Sequence, residues 1–126
     1  MLLLSIYFVF LAFLSLNPWV LPDSSLAIGN IAWDKIDHAT AYCVLSLLLM
    51  STYTYRFHKQ QWVVSFMILL TSSFVGVLLE YCQLWFTSTR EFSYYDAAAN
   101  VFGAGLGVIF FWCYLFVTRK HAKQIR

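Results

Sequence analysis

Four long apolar stretches divide this chain, and they constrain its fold more than any other feature. They cover residues 2–19, 39–55, 60–86 and 97–118. Each is long enough to cross about 30 Å of hydrocarbon as a helix that rises about 1.5 Å per residue. A chain of 126 residues that is 61% hydrophobic and 11% charged cannot bury this much apolar surface in a soluble core. The sequence therefore predicts an all-α polytopic membrane protein, a bundle of four transmembrane helices.

The predicted helices form a single domain over residues 1–126. They span about residues 2–19, 35–55, 60–86 and 94–118. Residues 18–33 contain proline, glycine and serine and are predicted to form a loop. The N-terminal stretch has neither a basic segment nor a convincing cleavage site, which predicts a retained first helix. No basic stripe suggests nucleic acid as a partner, whereas the lipid bilayer is the expected one.

The basic residues predict the orientation of the helices. With four crossings, both termini and the middle turn lie on one side of the membrane. That side holds Arg56, Lys59, Arg119, Lys120, Lys123 and Arg126, and the other side holds Lys35 and Arg90. This excess places both termini in the cytoplasm. The acidic residues all fall on or near the opposite, non-cytoplasmic side.

Polar residues open the second predicted helix. Asp34, His38 and Tyr42 follow one another at intervals of four and share one helical face. A purely structural interpretation has Asp34 cap the helix, Asp37 complete the capping box and Lys35 extend to the lipid head groups. Capping does not explain His38, because it places no requirement on a residue one turn inside the helix.

Glu80 is the most informative single residue of the third helix. It lies about 27 Å from the start of that helix, with Gln83 on the same face. A carboxylate at this depth must face the interior of the bundle and find a partner. Glu80 either pairs with Lys35, Arg90 or His38 to hold helices together, or it serves as a ligand-binding or acid–base group.

The fourth helix begins with Asp96 in its first turn and Asn100 one turn later. An asparagine inside a lipid-spanning helix needs a hydrogen-bond partner. Ala99, Gly103 and Gly107 form a ladder of small residues along this helix. Such a ladder allows close approach to a neighbouring helix, and it would also allow a homodimer.

The predicted topology gathers polar residues of three segments at one membrane face. The predicted ligand-binding residues are Asp34, Lys35, His38, Tyr42, Glu80, Gln83, Arg90, Asp96 and Asn100. His38, Glu80 and Asp96 are ligand types of zinc or manganese, but no local spacing supports a metal site, so neither a metal nor another cofactor is predicted. Ser93 is not predicted to act as a nucleophile, because the residues around it do not form a nucleophile-elbow motif.

These polar signatures occur in a recognisable order. Asp34-Lys35-x-x-His38-x-x-x-Tyr42 is followed by Glu80-x-x-Gln83, and Arg90 precedes Ser93-x-x-Asp96-x-x-x-Asn100-x-x-Gly103. Over residues 31–110 this pattern resembles the VanZ-like family. The resemblance implies a small integral membrane protein of the bacterial cytoplasmic membrane and the cell envelope. The namesake of the family is linked to resistance against the lipid-tailed antibiotic teicoplanin, and the family supplies no catalytic assignment.

Three functions fit this sequence best, and a transporter is a fourth, although four short helices leave a small pore unless the protein oligomerises. The first is an envelope protein that binds an amphiphile, such as a lipoglycopeptide of the teicoplanin type or a lipid-linked cell-wall precursor. The second is a membrane-embedded hydrolase or transferase that acts on a lipid head group, with His38 and Glu80 as catalytic residues. The third is a structural or assembly partner in which the polar residues only hold helices together. The sequence leaves open whether there is any catalysis.

Overall fold

The computed structural model describes residues 2–16, 27–28, 31–54, 56–57, 60–86 and 92–124. Four helices account for most of them: α1 (Leu2–Leu16), α2 (Trp33–Tyr53), α3 (Gln61–Phe86) and α4 (Tyr94–Gln124). The predicted all-helical class is confirmed. Before α2, the two-residue strands β1 (Ala27–Ile28) and β2 (Ile31–Ala32) pair in antiparallel fashion. They lie in the segment predicted as a loop, where strands this short leave no pattern in the sequence.

The helix ends follow from local chemistry. Ser93 precedes α4, and its Oγ accepts a hydrogen bond from the backbone N–H of Asp96 at 3.3 Å, as an N-cap does. α4 continues to Gln124, beyond the predicted end at 118, because its last turns contain cations that favour a helix C-terminus. α2 begins at Trp33, so Asp34 lies inside its first turn rather than capping it. The predicted end of the first helix, residues 17–19, lies outside the described residues.

Two of the helices are long and apolar enough to cross a membrane. They are Gln61–Trp85, with mean hydropathy 2.2, and Tyr94–His121, with mean hydropathy 2.0. α1 is apolar but has 15 residues, and charged residues in the first turns of α2 lower its hydropathy. Large apolar side chains of α1, α3 and α4 lie on the outside of the molecule. Apolar surface of this extent requires a lipid or protein neighbour.

α2 and α4 form the largest interface between helices, and glycines of α4 make it possible. A Cβ atom on Gly103 would overlap the backbone of Ala39, and one on Gly107 would overlap Ser46. Ser46 Oγ lies 3.0 Å from the carbonyl oxygen of Ala104 across this interface, within hydrogen-bond distance. The ladder of small residues therefore serves close packing between two helices of one chain.

The homodimer predicted through Ala99, Gly103 and Gly107 would need the same face of α4. Both glycines are buried against α2, and Ala99 is half-buried. The two glycines therefore already pack within the chain, and the homodimer stays a prediction.

α1 and α3 complete the packing around this pair. The Tyr7 hydroxyl of α1 donates to the carbonyl oxygen of Ala41 in α2 at 2.7 Å. Gln83 Nε2 of α3 donates to the carbonyl oxygen of Ser15 in α1 at 2.8 Å. These contacts hold the middle of α1 beside the third turn of α2, and the C-terminal end of α1 beside the C-terminal end of α3.

We expect Gly103→Ala to lower the stability of the folded protein by about 1–3 kcal/mol, because the new methyl group must push the α2 backbone away. The matched control is Gly105→Ala, since a Cβ atom there has no heavy atom within 4 Å in the described structure. Thermal denaturation of both variants in detergent, followed by size-exclusion chromatography, measures the difference. Equal stability of the two variants would contradict the close α2–α4 contact.

Candidate polar site at one end of the helices

The predicted polar residues meet where α2 and α4 begin and α3 ends. α3 runs opposite to α2 and α4, so its last turns lie beside their first turns. We call the group formed there the polar cluster; it consists of Asp34, Lys35, His38, Glu80, Asp96 and Asn100. The cluster joins three helices through side chains that are mostly buried.

Lys35 connects two carboxylates at the outer edge of the polar cluster. Its Nζ lies 3.2 Å from Asp34 Oδ2 and also contacts Asp96 Oδ1 on α4. Burial opposes the charge of Lys35, but the two carboxylates outweigh it and raise the pKa of the ammonium group. His38 and Lys35 together outweigh burial and lower the pKa of Asp34 to about 2, and the effect of His38 requires a proton on its Nε2. Both groups precede the apolar stretch that starts at residue 39, and both are charged at neutral pH.

His38 occupies the centre of the polar cluster and is 7% exposed. Its Nδ1 lies 3.1 Å from Asn100 Oδ1 and 3.7 Å from Glu80 Oε1. An amide oxygen can only accept a hydrogen bond, so this contact places the proton of a neutral imidazole on Nδ1. Nε2 then presents a lone pair to Asp34 Oδ1, 3.5 Å away. Two electron-rich atoms in this arrangement require a proton or another cation between them.

Several deeply buried polar atoms have no hydrogen-bond partner within the part of the chain that the structure describes. In and beside the polar cluster they are His38 Nε2, Tyr42 OH, Glu80 Oε2 and Asn100 Nδ2. Glu80 is 2% exposed and Asn100 is 1% exposed. Each such atom costs about 1–3 kcal/mol, and buried polar atoms are rarely left this way. Within the set, Glu80 and Asn100 interact with each other, whereas His38 and Tyr42 line a groove through which a polar ligand could reach them.

An apolar groove between α1 and α2 borders the polar cluster. Its volume is about 290 Å³, and its lining includes Tyr7, Phe10, Leu14 and Ala41 together with His38 and Tyr42. The wall is overwhelmingly apolar, and His38 belongs to both the groove and the cluster. A ligand with an apolar chain and a polar head could therefore contact both.

Three of the predicted site residues do not belong to the polar cluster. Tyr42 is buried one turn from His38 on α2 and lines the groove rather than the ion pairs. Gln83 donates to the carbonyl oxygen of Ser15 and ties α3 to α1. Arg90 lies outside the described residues.

Gly76 of α3 is a contributor that sequence analysis missed. A Cβ atom there would lie 2.8 Å from the Cβ of Asn100, so the absence of a side chain lets Asn100 pack against α3. A glycine inside a long apolar helix is the one signal that could have indicated this contact.

Comparison of the chain with protein-family models, with curated proteins and with solved structures gives no match.

We expect Lys35→Met to lower stability by about 1–3 kcal/mol, because Asp34 and Asp96 would lose the cation that they share. The control is Lys120→Met, which removes an exposed lysine of α4 and should change stability by less than about 0.5 kcal/mol. Thermal denaturation in detergent at neutral pH gives both values. If Lys35→Met were as stable as Lys120→Met, the ion pairs of Lys35 with Asp34 and Asp96 would contribute nothing to the stability of the folded protein.

Proposed function

We propose that this chain is a VanZ-like protein of the bacterial cytoplasmic membrane and that its polar cluster binds the head group of an amphiphile. In this proposal all four helices cross the membrane, both termini are cytoplasmic and the polar cluster lies at the non-cytoplasmic face. Two long apolar helices and an apolar exterior support the membrane location. The excess of basic residues at the termini and the middle turn supports the orientation.

The observation that carries the proposal is the presence of unpartnered buried polar atoms beside an apolar groove. A cluster that only held helices together would gain most by pairing every buried polar atom, because each unpaired one lowers stability. A ligand that supplies the missing partners would gain that free energy on binding. Binding sites of this kind combine an apolar wall with a few placed polar groups.

An amphiphile fits both parts of the site. Its polar head group would contact His38 and Tyr42, which have unpartnered atoms within the described structure and line the groove, while its acyl chain would fill the groove along α1. Lipoglycopeptides of the teicoplanin type and lipid-linked cell-wall precursors both have this construction. The resemblance to the VanZ-like family favours the same classes of ligand, and resistance of the teicoplanin type would follow if the bound ligand were the antibiotic.

We expect Leu14→Trp to weaken binding of a teicoplanin-type lipoglycopeptide at least about tenfold, because the larger ring would fill the groove. Phe13→Trp is the matched control, since Phe13 is 58% exposed on the same helix and Phe13→Trp adds similar bulk outside the groove. Titration of the labelled antibiotic into protein in nanodiscs measures both affinities.

A glycopeptide with the same peptide core but no acyl chain completes this experiment. It should bind more weakly than the acylated compound and respond equally to both tryptophan variants. If neither compound binds the unchanged protein, the lipoglycopeptide is excluded and a lipid-linked precursor becomes the ligand to titrate next. Acylated ligands of both classes that bind the two variants equally would contradict the use of the groove.

A second candidate function is catalysis on a lipid head group. The observation that favours it is the position of His38, which has a carboxylate oxygen near each ring nitrogen: Asp34 Oδ1 at 3.5 Å and Glu80 Oε1 at 3.7 Å. Such neighbours can orient an imidazole and stabilise its charged form while it transfers a proton. His38 would then act as general acid or base, with Glu80 tuning it.

If the protein is an enzyme, we expect His38→Gln to lower turnover about 100-fold or more while substrate still binds, because glutamine cannot carry the proton. The assay is mass spectrometry of lipid-linked cell-wall precursors after incubation with the purified protein in detergent. Product formed equally by the unchanged protein and by His38→Gln would exclude this role, and absence of product from the unchanged protein would leave binding as the function.

A further inference from the structure

A potential metal-binding group lies within the polar cluster, although the sequence spacing predicts none. Asp34, His38 and Asp96 each offer one ligand atom, and these atoms all lie within 4.8 Å of one another. Asp34 and His38 are one helical turn apart on α2, while Asp96 comes from the first turn of α4. The combination differs from the His38, Glu80 and Asp96 set considered from the sequence, because Asp34 rather than Glu80 faces Nε2 of the histidine.

The surroundings of His38 provide a second, independent observation. Its Nε2 has no hydrogen-bond partner in the described structure, although the side chain is more than nine-tenths buried. The opposite ring nitrogen is held by Asn100 Oδ1, with Glu80 Oε1 close behind. Metal-binding histidines have this arrangement, because an acceptor on one ring nitrogen fixes the tautomer that presents the other nitrogen's lone pair to the ion.

The charges of the cluster also favour a cation. Asp34, Asp96 and Glu80 contribute three carboxylates, and Lys35 contributes one ammonium group. The nitrogen of Lys35 already contacts both Asp34 and Asp96, so a cation between these two carboxylates is part of the observed structure. Lys35 is 29% exposed and has a flexible side chain, which allows it to withdraw to the surface.

We infer that Asp34, His38 and Asp96 form a binding site for a divalent transition-metal ion, with zinc as the best fit, and that Lys35 competes with the ion for the two carboxylates. Asn100 and Glu80 hold the histidine in position from behind. One nitrogen and two carboxylate oxygens suit zinc, and three protein ligands leave a coordination position open for water or a ligand.

The geometry requires a small rearrangement. Ligand atoms around a tetrahedral zinc ion lie about 2.0–2.1 Å from the metal, and therefore about 3.3 Å from each other. The most distant pair of the group must approach by about 1.5 Å, which rotation of the aspartate side chains can provide. Nε2 of His38 and Oδ1 of Asp34, 3.5 Å apart, are already close to the required separation.

This inference does not depend on binding of a lipoglycopeptide or a lipid-linked precursor, because the test contains neither. Full-length protein with a non-histidine affinity tag is purified in detergent, stripped with a chelator and titrated with Zn²⁺ by calorimetry. Metal content is then measured by mass spectrometry. We expect about one zinc ion per chain. His38→Gln and Asp96→Asn should weaken binding more than about 100-fold, since loss of outer contacts alone weakens such sites about 10–100-fold.

Two further variants make the result specific. Lys35→Met should bind zinc more tightly than the unchanged protein, because the competing ammonium group is gone. Its thermal stability, lowered without metal, should recover when zinc is added. Asp37→Asn removes a neighbouring carboxylate of α2 that does not belong to the group, and its affinity should stay unchanged. The tighter zinc binding expected of Lys35→Met keeps the test decisive even if His38→Gln fails to fold.

Cobalt provides a spectroscopic check on the ligands. Co²⁺ bound by one imidazole and two carboxylates gives weak visible bands without thiolate charge transfer, whereas binding at Cys43, Cys82 or Cys113 would give intense near-ultraviolet bands. Failure of both the unchanged protein and Lys35→Met to take up metal would overturn the inference. Metal uptake that is equal in Asp96→Asn and Asp37→Asn, or that shows thiolate bands, would overturn it as well.

Discussion

The close contact between α2 and α4 at Gly103 determines how the residues that these two helices contribute to the polar cluster meet. Ala39 follows His38 directly on α2, and Asn100 lies about one turn before Gly103 on α4. The contact between the two backbones therefore sets the position of both hydrogen-bonding side chains, and His38 Nδ1 reaches Asn100 Oδ1 at 3.1 Å. Any residue other than glycine at 103 would separate the helices and lengthen this hydrogen bond.

The arrangement of the polar cluster does not maximise the stability of the folded protein. Asp34 and Asp96 share the ammonium group of Lys35, Glu80 lies beside His38, and several buried atoms lack partners within the described residues. In a medium of low dielectric constant, like charges repel strongly and unpaired polar groups are unfavourable. Lys35 removes part of this imbalance by contacting Asp34 and Asp96 together. The remainder is the part that the proposed ligand or metal ion would compensate on binding.

The helices were largely predictable because apolar stretches and intervals of four residues depend on local sequence alone. The gathering of Asp34, His38, Glu80 and Asp96 at one end followed from alternating helix directions. The individual contacts were not predictable, because they depend on how each helix is rotated about its axis. The sequence therefore gave no reason to prefer Asn100 over Glu80 beside Nδ1 of His38, or to expect Lys35 to contact two carboxylates.

α1 has the smallest interfaces with its neighbours among the four described helices. Tyr7 and Gln83 connect it to its neighbours through hydrogen bonds to backbone carbonyl groups. Local opening of a protein begins where the least surface is buried, so α1 should separate before α2 and α4 do. Among the four helices, hydrogen exchange should therefore be fastest in α1, and the groove lies along the boundary between this labile helix and the more persistent α2.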